Sequence, residues 1–217
     1  MAGIPDFDLR PTEMPDGEPV RRPVLQSAVI ARLLRSIQYK FSVPDNIHHE
    51  ELKGLVWSPD EEARRILVTT SFKSPAGTAS AEVFPRVVIS GAGMEVDNSH
   101  RSSIVNNSLL TGKGAHVGTP RYIGVAGAVL ISAVSRGDYE SLLIAEDVFM
   151  WLLPLEDVIR RELHLSLFEV GAVRGPQASE QYKDCHTTTV AAVWRAGMGW
   201  RTVPDGPAFA DHQQRTN

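Results

Sequence analysis

Several short stretches carry residue types capable of chemistry, and each can be judged on its spacing. Thr111-Gly112-Lys113-Gly114 is the one suggestion of a phosphate loop. Such a loop needs an earlier glycine, then Gly-Lys-Ser/Thr between a strand and a helix, so that backbone amides and the lysine cradle phosphates. Here Asn107 stands where the first glycine belongs and Gly114 replaces the hydroxyl residue. A flexible glycine loop is the expected reading. His48-His49-Glu50-Glu51 offers metal-competent groups, but zinc on a helix wants histidines one turn apart, and adjacent ones diverge. His100, His116, His164, His186 and His212 are scattered. Solvated or packed histidines are expected. Cys185-His186 has the types of a thiol nucleophile and its base, but neighbours on a strand face opposite ways. Cys185 is expected to pack as a small apolar residue. Ser90-Gly91-Ala92-Gly93 lacks the glycine two places before the serine that a nucleophile elbow requires.

The charged groups read as surface. Glu146-Asp147 and Glu156-Asp157 are expected on helix surfaces, serving solubility or bridging to Arg160 and Arg161. Arg21-Arg22 and Arg64-Arg65 are too small for a nucleic-acid footprint. They could pair with an acidic surface on a neighbouring subunit. The sequence therefore predicts no catalytic residue, no metal ligand and no cofactor: a protein that acts through surfaces, not an enzyme.

Length and composition set the frame. The chain has 217 residues, 42% hydrophobic and 22% charged, with net charge −4. That is enough to bury a core, and it does not recruit nucleic acid by bulk charge. A single cysteine excludes an intramolecular disulfide. The proline-rich, acidic start has no secretory pattern. No apolar run approaches the roughly 20 residues of a membrane span. The chain is expected to remain in the cytoplasm where it is made.

The elements that would carry these residues follow from periodicity. Residues 1–23 hold Pro5, Pro11, Pro15, Pro19 and Pro23 and read as an extended N-terminal arm. Residues 25–41 form a helix with Ile30, Leu33, Leu34, Ile37 and Phe41 on one stripe, and with Arg32, Arg35 and Lys40 largely off it. Residues 64–72 and 85–90 are strands. Residues 91–120 form a long polar loop, or hide a small hairpin. Residues 121–135 are a strand covered on both faces, in which Gly124 and Gly127 signal a bulge or a close backbone approach. Asp138 would cap a long helical segment, residues 138–163, apolar over most of its circumference and kinked or restarted at Pro154. Strands at 165–173 and 185–194 follow, then a tail at 201–217. The fold class is α+β: a mainly antiparallel sheet of four to five strands with two main helices packed on it, residues 24–200 forming a single domain. The strand–helix–strand run from Val125 to Leu165 could instead be a parallel crossover.

Two stretches together resemble a known family. One is Phe84-Pro85-Arg86-Val87-Val88-Ile89-Ser90-Gly91-Ala92-Gly93, a proline-led strand entering a glycine turn. The other is VLISAVSRGDYESLLIAEDVFMWLLPLEDVIRREL at residues 129–163, a strand, a Ser-Arg-Gly-Asp turn and a Leu-rich helix, with a strand to follow. Over residues 64–173 the chain resembles tail-terminator and neck (head–tail joining) proteins of tailed bacteriophages. The resemblance implies a small subunit that forms a ring, often of six copies, without enzyme activity or cofactor. It carries no individual functional residue.

The expected function is thus a structural virion protein, a ring-forming subunit at the head–tail junction that joins connector and tail. Its expected partners are copies of itself in a ring of six or a multiple, connector or adaptor proteins, and tail-tube proteins. No sequence-specific nucleic acid and no membrane are expected, although the ring leaves room for DNA passing through. Assembly would take place in the host cytoplasm and the product would reside in the virion. The residues expected at subunit interfaces are Phe7, Leu9, Met14, Arg21 and Arg22 of the arm and Met150, Trp151 and Leu155 of the long helix. Two other readings stand beside this one. One is a small-molecule enzyme or ligand-binding domain with the 91–120 loop as its lid, which would bring His100, Lys113 and His116 to one pocket. The other is an assembly factor that never enters the particle.

Overall fold

A computed structural model describes residues 12–13, 19–20, 26–70, 85–97 and 119–202. The chain divides into two compact units, residues 1–23, 97–124 and 197–217 in one, and residues 24–96 and 125–196 in the other. In the first, β1 (Thr12–Glu13) and β2 (Pro19–Val20) pair antiparallel, with Thr12 opposite Val20. Phe7, Leu9, Met14, Arg21 and Arg22 lie outside the described residues, as do residues 98–118 and 203–217.

The second unit is α+β, as the sequence predicts. Its sheet is six-stranded and mostly antiparallel, with two main helices packed against it. The strands are β3 (Leu67–Thr69), β4 (Arg86–Asp97), β5 (Thr119–Ser135), β6 (Leu167–Val173), β7 (Gln177–Ala178) and β8 (His186–Thr202), of which residue 97 of β4, residues 119–124 of β5 and residues 197–202 of β8 fall in the first unit. Their order is β3-β4-β5-β8-β6, with β7 also pairing to β8. β3 and β4 run parallel, Val68 opposite Val87. β6 and β8 run antiparallel, Phe168 opposite Trp194. β8 lies between β5 and β6, so the strands flanking the long helix are not neighbours in the sheet. Residues 91–97, expected in a loop, instead prolong β4, and Thr119 and Pro120 already belong to β5.

Helix α1 (Gln26–Ser42) and helix α2 (Asp138–Leu152) cover one face of the sheet. The Gln26 side chain donates to the carbonyl of Ala128 on β5, and that of Gln38 reaches the carbonyl of Val68 on β3. Ser141 on α2 meets Thr188 on β8, Oγ to Oγ1 at 2.9 Å. Strand residues alternate between faces. Val87 and Ile89 therefore point to the helices together with Gly91, whose missing Cβ would strike the Gln26 amide. On β8, Thr188, Val190, Ala192, Trp194 and Ala196 form the helix-side row, all of them buried. Gly127 is required there: a Cβ would lie 2.6–2.9 Å from three atoms of the Trp194 indole. The close approach read from the sequence exists, but it is a side chain that approaches.

The helices explain two departures. On α1 the buried stripe is Val29, Leu33, Ser36, Ile37, Lys40 and Phe41, so Lys40 faces inward and Ile30 and Leu34 lie on the flank. On α2 the N-cap is Gly137. Asp138 is the first helical residue, and its Oδ1 accepts the N–H of Tyr139 at 2.7 Å. Pro154 sits in a single 3₁₀ turn, Leu153–Leu155, after which α3 (Glu156–Glu162) begins. The helix restarts here, because proline removes one helical hydrogen bond while suiting a first turn.

Candidate functional site

The all-round apolarity of α2 has a largely internal use. Ser141, Ile144, Ala145, Val148 and Leu152 face the sheet, and Leu143 and Asp147 are buried as well. Trp151, expected at a subunit interface, is half-buried against α1. Its Nε1 donates to Ser36 Oγ at 3.1 Å, and its ring lies 6.3 Å from that of Tyr39. Leu155 is half-buried, and Met150 is 51% exposed. Tyr139, Met150 and Leu153 remain as exposed apolar side chains on α2 and the turn after it.

Where α1 and α2 meet, a charged cluster is enclosed. The Lys40 and Asp147 side chains are both 0% exposed, with Nζ 3.0 Å from Oδ2. Lys40 also donates to the carbonyl of Asn46 at 2.7 Å, and its ammonium lies 5.3 Å from the Trp151 ring and 5.7 Å from that of Phe41. The other carboxylate oxygen of Asp147 accepts the backbone N–H of His48 at 2.9 Å and faces His48 Nδ1 at 2.8 Å. Asp147 thus ties α2 both to α1 and to the connector after it. Burial pushes the Lys40 ammonium below the ordinary lysine value, and the nearby Asp147 carboxylate opposes that only in part. The surface role expected of Asp147 is corrected: it is an interior anchor. The adjacent Glu146 lies 3.8 Å from His49. Both histidines thus have carboxylate neighbours. Among the described residues no three or more His, Cys, Asp or Glu converge as a metal site.

Cys185 is buried, as expected of an apolar packing role. His186 Nδ1 lies 3.3 Å from the carbonyl of Arg136. Arg86 is fully buried, its guanidinium stacked 4.4 Å from the Tyr182 ring and donating to the Tyr182 hydroxyl at 2.7 Å. Arg64, half of a basic doublet, is spent on the carbonyls of Ser58 and Pro59. The 111–114 loop, His100 and His116 lie outside the described residues.

The sheet face opposite the helices carries an open concavity. An open groove of about 630 Å³ runs across β4, β5, β8 and β6. Its floor is made of small residues, Ala92, Ala126 and Ala128, between Met94, Leu167 and Val193, with Glu95, Glu169 and Arg195 at its sides. Met94 and Val193 are among the exposed large apolar residues. Along β8, Ala191, Val193 and Arg195 alternate with the buried Ala192 and Trp194, and it is burial, not residue type, that tells the two faces apart.

Among the described residues no helix is long and apolar enough to cross a membrane. No protein-family model matches the chain, and no curated protein matches it.

Proposed function

We propose that the protein is a structural subunit that forms a ring at the head–tail junction of a tailed bacteriophage, joining connector and tail. The strand–turn–helix block at residues 129–163 is the origin of this reading. The observation that carries it further is the presence of two different exposed apolar surfaces on one chain. Met94, Leu167 and Val193 lie on the open sheet face, and Tyr139, Met150 and Leu153 lie on the helix side. A head-to-tail contact needs two unlike surfaces on each subunit, and repeated about an axis it forms a ring when the rotation closes. Large apolar side chains left exposed on two sides of a subunit are candidates for such contacts.

Sedimentation and electron microscopy of the purified protein, alone and with tail tubes, test this reading. Closed rings are expected, and Val193→Asp and Met150→Asp are each expected to abolish them without unfolding the subunit. A chain that stays monomeric beside tail tubes and is absent from purified virions overturns the proposal. Presence in assembling lysates but not in virions would instead assign it to an assembly factor. The groove volume also lies in the range of about 300–1,000 Å³ typical of small-molecule sites. A ligand that protects Met94 and Val193 from solvent labelling would favour a binding domain.

A further inference from the structure

Among the described residues β6 ends the strand order, with β8 as its ladder partner. A bare strand edge offers unpaired N–H and C=O groups to any other strand, so stable proteins block it. Val170 is the middle residue of the seven in β6. Its N–H is not in the ladder to β8: it donates to Glu156 Oε1 at 2.7 Å. A carboxylate is a strong acceptor for a backbone amide, and it stands where the carbonyl of an added strand would have to come. Glu156 is placed there by the turn at Pro154, which starts α3, and by Ile159, which buries α3 against the core. Beyond Val170 the pairing of β6 with β8 shifts register before Val173. Such an irregularity bends the strand and spoils that half of the edge as a template. The regular half, Leu167–Val170, is the part that needs a block.

We infer that Glu156 guards the β6 edge against pairing with β6 of a second copy of this chain. Two such edges would meet antiparallel about a two-fold axis, a closed pairing that leaves no surface to propagate. The guard is independent of the ring role: it prevents a contact distinct from either apolar surface.

Amide hydrogen exchange at Val170, followed over a concentration series with sedimentation in parallel, tests the inference. In the unaltered protein the Val170 amide is expected to be protected at every concentration. In Glu156→Ala, exchange at high dilution is expected to rise by about tenfold or more. At high concentration protection should return with a species of doubled mass. Glu156→Gln keeps an acceptor oxygen and is expected to behave as the unaltered protein. Should Glu156→Ala not fold, Glu156→Asp, whose carboxylate is one methylene short, takes its place with the same expectation. An unprotected Val170 in the unaltered protein overturns the proposal. So does a folded Ala or Asp variant without doubled mass, or a Gln variant that pairs as readily. Ring formation through other surfaces leaves Val170 exchange independent of concentration, so the two proposals fail separately.

Discussion

The dipeptide Glu-Asp occurs twice in the helical segment, as Glu146-Asp147 on α2 and as Glu156-Asp157 at the start of α3. The two aspartates have opposite fates. Asp147 is sealed between helices against Lys40 and His48. Asp157 is exposed and bonds the Arg160 guanidinium at 2.8 Å, one turn along its own helix. Both make an ion pair, but only one is structural. In water an ion pair contributes little, because solvent screens the attraction and two long side chains lose freedom. In the interior each charge has given up its hydration, so removing one partner strands the other. The lesson is that residue type and local spacing name the pair, while burial decides its consequence.

The comparison can be broken from its strongest side. Asp147→Ala should leave the Lys40 ammonium enclosed with the Asn46 carbonyl as its remaining polar partner and should destabilise the protein by about 3–5 kcal/mol. Denaturant unfolding measures this, and a loss below about 1 kcal/mol would show that Lys40 escapes to solvent. The double variant Lys40→Met, Asp147→Leu removes both charges and fills similar volume. It should recover most of that loss, because a buried pair replaced by apolar groups is often neutral or better.

A smaller effect is the pH dependence. The folded Lys40 holds its proton less tightly than the ordinary value of 10.5. Between the folded and unfolded values the unfolded chain therefore binds more protons, and stability due to this group rises with pH through that window. Below the window the full penalty of enclosing the ammonium is present. Unfolding curves between neutral pH and 10.5 should rise more steeply for the unaltered protein than for Lys40→Met. Equal slopes would remove Lys40 as the cause. The smallest effect belongs to Asp157→Ala, which should leave the melting temperature unchanged within scatter. The Arg160 guanidinium holds the Asp157 carboxyl below its usual range, but the group is fully exposed. A measurable loss there would erase the contrast with Asp147.

Much of the fold was legible from periodicity. The apolar spacing around Leu33, Ile37 and Phe41 placed α1 almost to the residue, and of the kink or restart expected at Pro154 the restart is found. The alternation in residues 121–135 and 185–194 marked β5 and β8, although both run further. The extension of β4 through Ser90-Gly91-Ala92-Gly93 was not legible. Small polar residues and glycines spell a turn locally, and here Gly91 persists in the strand because the Gln26 amide needs the space. Of the helix residues expected at a subunit interface, Met150 is exposed, whereas Trp151 turns inward, because its partner α1 is distant in sequence.

By itself the sequence determined which segments are helix and strand, that α2 must be buried more widely than α1, and that none of the His, Cys or Ser motifs has the spacing of a known catalytic or metal arrangement. Those properties are set by periodicity and by covalent reach, which act within a few residues. Only the tertiary structure decided that Lys40 and Asp147 share one dry contact, that Glu156 closes a strand edge while its neighbour Asp157 meets solvent, and that among the described residues the helices cover only one face of the sheet. Each of these depends on which distant segment excludes water from a given side chain, and desolvation is a property of the packed fold that no local pattern records.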